Sequence, residues 1–510
     1  MIKIEKLDLI ITTTVLTVIE VISSITAGTV LPSIEQDFGS ETNKILWIIN
    51  IYMVTSAIIM PLTGYLVSCF GQRRLLLISV LGFMISSMAC GSAYNLQIML
   101  IARGLQGIFG GVLIPISLAI LRNAFSENKL PKAMAIWNFG IMVAPVFGPI
   151  VGGYISAIAS WPWIFYINVP LCALGILLCS LFVPETSKHK KNLNWFSLIL
   201  ITLSIGGLQF LLYTEGEFYI LKSKFLIAGF IFSGISLFAY ILRKRSKVSI
   251  INYKVFQNIN FLVCSILYML YSAAMFATLT IQPILLQKTM NFSIINTGFI
   301  LALRGLSCIC TVFITPFLMY HFKIHTLLIF GLLFSTLANF MIGQATLAAS
   351  IYKFSLAEIL QGIGIALFTV PLSAQAFLTL NKHYSHDAAG IYTYLRALGV
   401  SIGLSIISSQ LSFHTEVEKQ EPLEVKNNCE VSPTYFSNYF LNKFAFLIDT
   451  YVFSPVNVQT SQIDIFLKQY NNLSIFLLIL IPFIFILIRN KFEEGKAEKG
   501  ISIGDALTKE

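Results

Sequence analysis

The chain has 510 residues, 56% of them hydrophobic and only 11% charged, with a mean hydropathy of +0.79. Soluble domains run near about 25% charge, so a soluble protein is excluded; the hydrophobic content would fill roughly fourteen helices of about 20 residues, the length a bilayer core requires. The net charge of +10 does not mark a nucleic-acid partner, because the positive residues stand in short runs between apolar segments and read as topology signals.

Apolar runs broken by polar, Gly or Pro residues predict spans near 8–31, 46–68, 75–93, 97–121, 132–157, 162–183, 195–214, 224–242, 260–284, 297–320, 324–343, 352–379, 386–411 and 472–488. The first begins after Met1-Ile2-Lys3-Ile4-Glu5-Lys6, lacks a small-residue cleavage site and outlasts a signal-peptide apolar core, so a retained helix is expected. Lys and Arg number 22 on the side of the N-terminus, including Arg73, Arg74, Arg122, Lys323 and Lys382, against five in the short loops opposite. By the positive-inside rule both termini are expected in the cytoplasm. The remaining outer segment, 412–471, is long and polar, and its length invites a functional reading. All cysteines except Cys429 fall in or beside apolar stretches, which suggests neither a disulfide framework nor a zinc site.

An internal duplication is expected from two spans. The fourth holds Arg103-Gly104-Leu105-Gln106-Gly107 followed by Ile114-Pro115-Ile116-Ser117; the twelfth holds Glu358-Ile359-Leu360-Gln361-Gly362 followed by Val370-Pro371-Leu372-Ser373. Equivalent helices of a six-plus-six transporter would lie six spans apart, and these lie eight apart, so two helices are inserted between the halves. Repeated halves are the architecture of secondary transporters, with the substrate site between them near the midplane.

Three stretches resemble the major facilitator superfamily, and within it the fourteen-helix drug:proton antiporters of the EmrB/QacA type. Gly64-Tyr65-Leu66-Val67-Ser68-Cys69-Phe70-Gly71-Gln72-Arg73-Arg74 is similar to the cytoplasmic loop motif, Arg103 to Gly107 to the fourth-helix arginine motif, and Ala144 to Gly153 in span five to the antiporter motif. The resemblance implies an all-α polytopic fold of two six-helix bundles plus two further helices. The division would be 1–187 for the first bundle, 188–255 for the inserted pair and basic linker, 256–490 for the second bundle with its outer loop 412–471, and 491–510 for a cytoplasmic tail. Two departures stand out: Ser68 replaces the usual acid of the loop motif, which implies a weaker or differently built latch, and Ser23 stands where span one usually has Asp.

Glu20 lies three residues before Ser23 on the same helical face, and we infer that it takes over the missing acid. An ionised side chain at mid-span is costly and therefore pairs or faces a cavity; the alternative is that Glu20 only bonds neighbouring hydroxyls such as Thr17 or Ser24. Arg103 keeps its charge and bridges several acceptors at once. Glu358 joins them as a coupling candidate, while Arg304 and Arg396, with Ser23, are candidates for substrate contact or ion pairing. An Arg304–Glu358 pair joining spans ten and twelve is equally consistent with the sequence. His386 and Asp387 lie at a helix edge, where solvated charges need no special account. Gly148, Gly152 and Gly153 permit close backbone approach, and Pro145 and Pro149 remove donors and bend the helix; the resemblance makes this the tight contact of an antiporter.

The resulting expectation is a secondary exporter of hydrophobic or cationic toxic compounds in a bacterial inner membrane, driven by the proton gradient without a cofactor; no phosphate-binding loop occurs. A dedicated exporter of one physiological molecule, such as a siderophore or lipid-like metabolite, is the alternative. No convergent acid or histidine cluster suggests an enzyme. The apolar and aromatic stretches of the outer loop, Tyr435-Phe436 and Phe444 to Ile448, suit a surface or docking helix, and the resemblance adds a periplasmic adaptor and an outer-membrane channel as partners.

Overall fold

A computed structural model describes residues 6–39, 42–127, 129–186, 200, 202–208, 253–345, 350–420, 462–485 and 487. Every regular element among them is helical: α1 (Leu7–Thr29), α2 (Leu31–Phe38), α3 (Thr42–Ile59), α4 (Thr63–Phe70), α5 (Gln72–Gly91), α6 (Leu96–Gly110), α7 (Leu113–Ala124), α8 (Leu130–Ala159), α9 (Trp163–Tyr166), α10 (Asn168–Phe182), α11 (Ile259–Ile284), α12 (Ile294–His321), α13 (Ile324–Gly343), α14 (Ile351–Leu378), α15 (Ser385–Gln420), α16 (Gln462–Ile479) and α17 (Ile481–Ile484). Ten candidate spans among the described residues are long and apolar enough to cross a membrane. Lipid offers no partners for backbone groups, so helices, which satisfy their own, are the form such apolar runs take.

The predicted spans coincide closely with helices where hydropathy changes abruptly, as at Ile324–Gly343. Several are interrupted, two of them at a proline or a glycine. Span two breaks at the 3₁₀ turn Met60–Leu62, where Pro61 lacks a backbone donor. Span four breaks between α6 and α7 at Gly111, whose close contact with Ser56 leaves no room for a side chain. The stretch 412–471, expected as an outer loop, is helical at both ends: α15 runs on to Gln420 and α16 starts at Gln462. Polarity misled the reading there, because Gln469 and Tyr470 are buried inside the bundle and Asn471 Nδ2 donates to the Gly343 carbonyl at 3.2 Å. Of the inserted pair, only 200 and 202–208 are described; its second helix, the basic linker, the outer stretch 421–461 and the tail lie outside the described residues.

Apolar side chains face outward as well as inward. On α6, Ile101, Leu105 and Ile108 are exposed while Arg103, Gln106, Gly107 and Gly110 are buried, a helical stripe inverted relative to a water-soluble helix. Among the N-terminal helices α1 packs on α8 and α10, and α3 on α6; among the C-terminal helices α14 packs on α12 and α13, and α11 on α15. The two groups meet where α8 lies against α12 and where α15 lies against α4 and α7. At the end bearing the basic loops, Arg122 of α7 reaches the last turn of α14: Nε donates to the Phe377 carbonyl at 2.5 Å and Nη2 to that of Leu380 at 2.9 Å. Lys382 returns the contact, its Nζ donating to the Asn123 carbonyl at 3.3 Å.

Candidate functional site: a buried polar network

Arg103 is fully buried. Its Nε donates to the Ile48 carbonyl at 3.1 Å and its Nη1 to Gln106 Oε1. Gln106 donates onward to Ser87 Oγ, and Asn168 Nδ2 lies 3.4 Å from both Ser87 Oγ and Ser23 Oγ. The guanidinium sits over the Tyr52 ring, 4.4 Å from its centroid, with the Phe165 ring at 5.7 Å. Ring faces attract a desolvated cation, so aromatic stacking does part of what an acid would do. Arg103 Nη2 and Asn168 Oδ1 have no hydrogen-bond partner among the described residues.

Glu20, 5% exposed, does not bond Thr17 or Ser24. Thr17 Oγ1 donates to the Thr13 carbonyl and accepts from Trp137 Nε1, and Ser24 donates to the Val21 carbonyl. Tyr52 Oη instead donates to the Glu20 carbonyl at 3.3 Å and to Oε1 at 3.4 Å. Tyr52 thus touches Glu20 with its hydroxyl and Arg103 with its ring. From the C-terminal helices, the half-buried Arg396 of α15 acts on Glu20 through its charge. Ser23, one turn on, belongs to the Asn168 end of the network.

Among the C-terminal helices Arg304 and Glu358 form a buried bidentate ion pair, Nε to Oε2 at 2.5 Å and Nη2 to Oε1 at 2.8 Å. Beside it Gln361 Nε2 lies 3.0 Å from Met275 Sδ. The two repeated stretches occupy corresponding crossings. A side chain at Gly107 would collide with the Tyr52 carbonyl, and one at Gly362 with the Arg304 carbonyl. The charged residue four positions before each glycine, Arg103 or Glu358, then meets the side chain of the residue so touched.

The loop motif is built on Gly71, whose φ of 81° and ψ of 151° belong to a region that only glycine adopts freely. Arg73 donates to the Ser180 carbonyl, fastening the turn to α10, and Arg74 is exposed. Ser68 is turned back on its own helix, donating to the Tyr65 carbonyl at 2.7 Å. Asp387 is not merely a solvated edge residue: in the first turn of α15 it lies directly against Gly64, so an acid reaches the motif from the opposite group of helices. Pro145, Gly148, Pro149, Gly152 and Gly153 fall within α8, and their surroundings lie outside the described residues.

Arg122 was read only as a topology signal, and Tyr52, Ser87 and Asn168 were not singled out from sequence. The signal was available: an amide or hydroxyl inside an apolar run has no water to bond and must find a protein partner.

These helices, with ionisable side chains buried inside each of two packed groups, define a multi-pass membrane protein built as a transporter. The chain belongs to the Major Facilitator Superfamily, which matches residues 13–404. It is of the EmrB type: the probable multidrug resistance protein EmrY of Escherichia coli is 31% identical over 403 residues, covering 76% of this chain and 77% of that one. The multidrug export protein EmrB of the same organism is 29% identical over 408 residues (77% and 78%), and the fatty acid resistance protein FarB of Neisseria gonorrhoeae 30% over 396 (76% and 78%). The fold is shared with the human organic anion transporter TETRAN, at a TM-score of 0.64 and 14% identity over 94% of this chain and all of that one. It is shared also with the proton:xylose symporter XylE, at 0.61 and 12% over 95% and 96%.

Proposed function

We propose that the chain is a proton-coupled exporter of hydrophobic or cationic toxic compounds, working by alternating access in a bacterial inner membrane with both termini in the cytoplasm. The observation that carries this reading is the position of Glu20: buried at mid-span, it accepts from Tyr52, whose ring lies under Arg103. Burial disfavours the ionised carboxyl, and the charge of Arg396 opposite partly compensates that cost. If the two groups tilt apart, that compensation weakens and the carboxyl holds its proton. A cationic cargo could substitute for Arg396, so cargo and proton would alternate. A proton crossing a potential of about 150 mV yields about 3.5 kcal/mol, sufficient for a gradient of a few hundredfold in a neutral substrate. Similarity to the multidrug resistance and export proteins EmrY and EmrB supports the cargo class, and the excess of basic residues on one side supports the orientation.

The test is purified transport in proteoliposomes under an imposed pH gradient with a panel of dyes, drugs and lipid-like acids. Glu20→Gln should abolish cargo-dependent proton movement, and unchanged coupling would remove Glu20 from the mechanism. FarB favours a second reading, a dedicated exporter of a lipid-like compound; a deletion strain with little hypersensitivity to drugs would select it. An adaptor docked on the outer segment remains part of the proposal, tested by affinity capture with 421–461 deleted.

A further inference from the structure

Tyr52 joins the two charged groups of the N-terminal helices by two different kinds of contact. Its hydroxyl donates to Glu20 Oε1, and the same ring lies under the Arg103 guanidinium. The repeat supplies an independent reason to regard position 52 as special. Gly107 is pressed on the carbonyl of residue 52, and Gly362 on the carbonyl of residue 304. At the second crossing residue 304 engages the repeated charge directly, as the Arg304–Glu358 ion pair. Position 52 is thus the corresponding site at the first crossing, and a tyrosine occupies it.

We propose that Tyr52 is the positioning residue that links Glu20 to Arg103, so that loss or gain of the acid's proton changes how the arginine is held. The inference rests on Glu20 being the proton carrier and adds the element that transmits its state. When Glu20 is ionised, the Tyr52 hydroxyl is drawn to the carboxylate and the ring is fixed beneath Arg103. When Glu20 carries the proton, the Tyr52 hydroxyl keeps only its bond to the Glu20 carbonyl, and the arginine rests chiefly on Gln106, the Ile48 carbonyl and the Phe165 ring. The charged and titratable groups that face this set are Arg396 toward Glu20, Cys90 toward Arg103, and Glu20 and Arg103 toward Tyr52.

The test is infrared titration of the purified full-length protein, which needs no cargo. The band of a protonated carboxyl that disappears in Glu20→Gln is assigned to Glu20, and its midpoint is followed in Tyr52→Phe, which keeps the ring under Arg103. Loss of one hydrogen bond to a charged group is expected to move the midpoint by about one pH unit. Arg103→Lys, which replaces the planar group on the ring, is expected to move it in wild type and to have little further effect once Tyr52 is Phe. A midpoint unchanged in Tyr52→Phe overturns the role of Tyr52 and leaves Glu20 as carrier. Additive effects of Arg103→Lys and Tyr52→Phe also overturn the link. If no carboxyl band is lost in Glu20→Gln, the proton-carrier reading falls and this inference with it. Tyr52→Leu, which carries no hydrogen-bond donor, serves as a second variant if Phe folds poorly; the same shift is expected and its absence has the same meaning.

Discussion

Tyr52 and Arg304 are counterparts: each offers its carbonyl to the glycine of a repeated Leu-Gln-Gly stretch, and each meets the charged side chain four residues before that glycine. At one crossing the charge on the glycine-bearing helix is positive and rests on aromatic faces; at the other it is negative and is neutralised by its neighbour.

The neutralised crossing makes a stability prediction. Removing one member of a buried pair leaves an uncompensated charge, at a cost of about 3–5 kcal/mol, whereas replacing both by apolar residues is far milder. Arg304→Met and Glu358→Leu are each expected to lower the thermal midpoint in detergent, and the double variant to lie above both. Retained transport in the double variant would assign the pair to architecture; its loss with the fold intact would keep Glu358 among the coupling groups.

The latch at the basic end makes a second. Hydrogen bonds from a charged donor contribute about 1.5–3 kcal/mol each, and Arg122 makes such bonds to the end of α14. Arg122→Gln should therefore speed hydrogen–deuterium exchange in the first turns of α15 by roughly tenfold or more, and should leave exchange at the far end of α13 unchanged. Equal exchange in both regions would show that other contacts hold this end together.

Backbone geometry makes a third. Gly71→Ala should destabilise by about 1–3 kcal/mol, since its conformation is nearly exclusive to glycine. Gly39, at φ 58° with open space around its α-carbon, is in the milder left-handed helical region, and its Ala variant should cost less. Thermal midpoints of the two variants give the comparison, and the reverse order would contradict it.

A fourth concerns the acid one turn away. Ser23 is tied through Asn168, Ser87 and Gln106 to Arg103. In a Glu20→Gln background, Ser23→Asp is expected to restore part of the ethidium-dependent proton movement in proteoliposomes, as an acid there would again communicate with Arg103. A silent double variant would mean that position 23 cannot serve in this bundle.

The helices were legible because bilayer-length apolar runs admit few alternatives, and the loop motif because Gly71 and its arginines are adjacent in sequence. The last span was legible only in part: Gln469, Tyr470 and Asn471 look like loop residues until Gly343 and the rest of the interior are set around them. Glu20 and Arg103 stood out as charges in lipid-length runs. Tyr52 did not, because a tyrosine in an apolar helix is ordinarily packing, and its two partners come from helices that only the fold brings together. The Ser68 departure showed that an acid was missing from the motif; that Asp387 reaches Gly64 across more than 300 residues of chain could not be read from local pattern.

Arg122 grips oxygen atoms of the main chain, and every amino acid at 377, 378 or 380 supplies the same oxygen. This closure therefore tolerates drift in the side chains it touches, provided the helix still stops there. What it cannot tolerate is a change of length: one residue added before Phe377 would rotate the terminal carbonyls by about 100° and aim them away from the guanidinium.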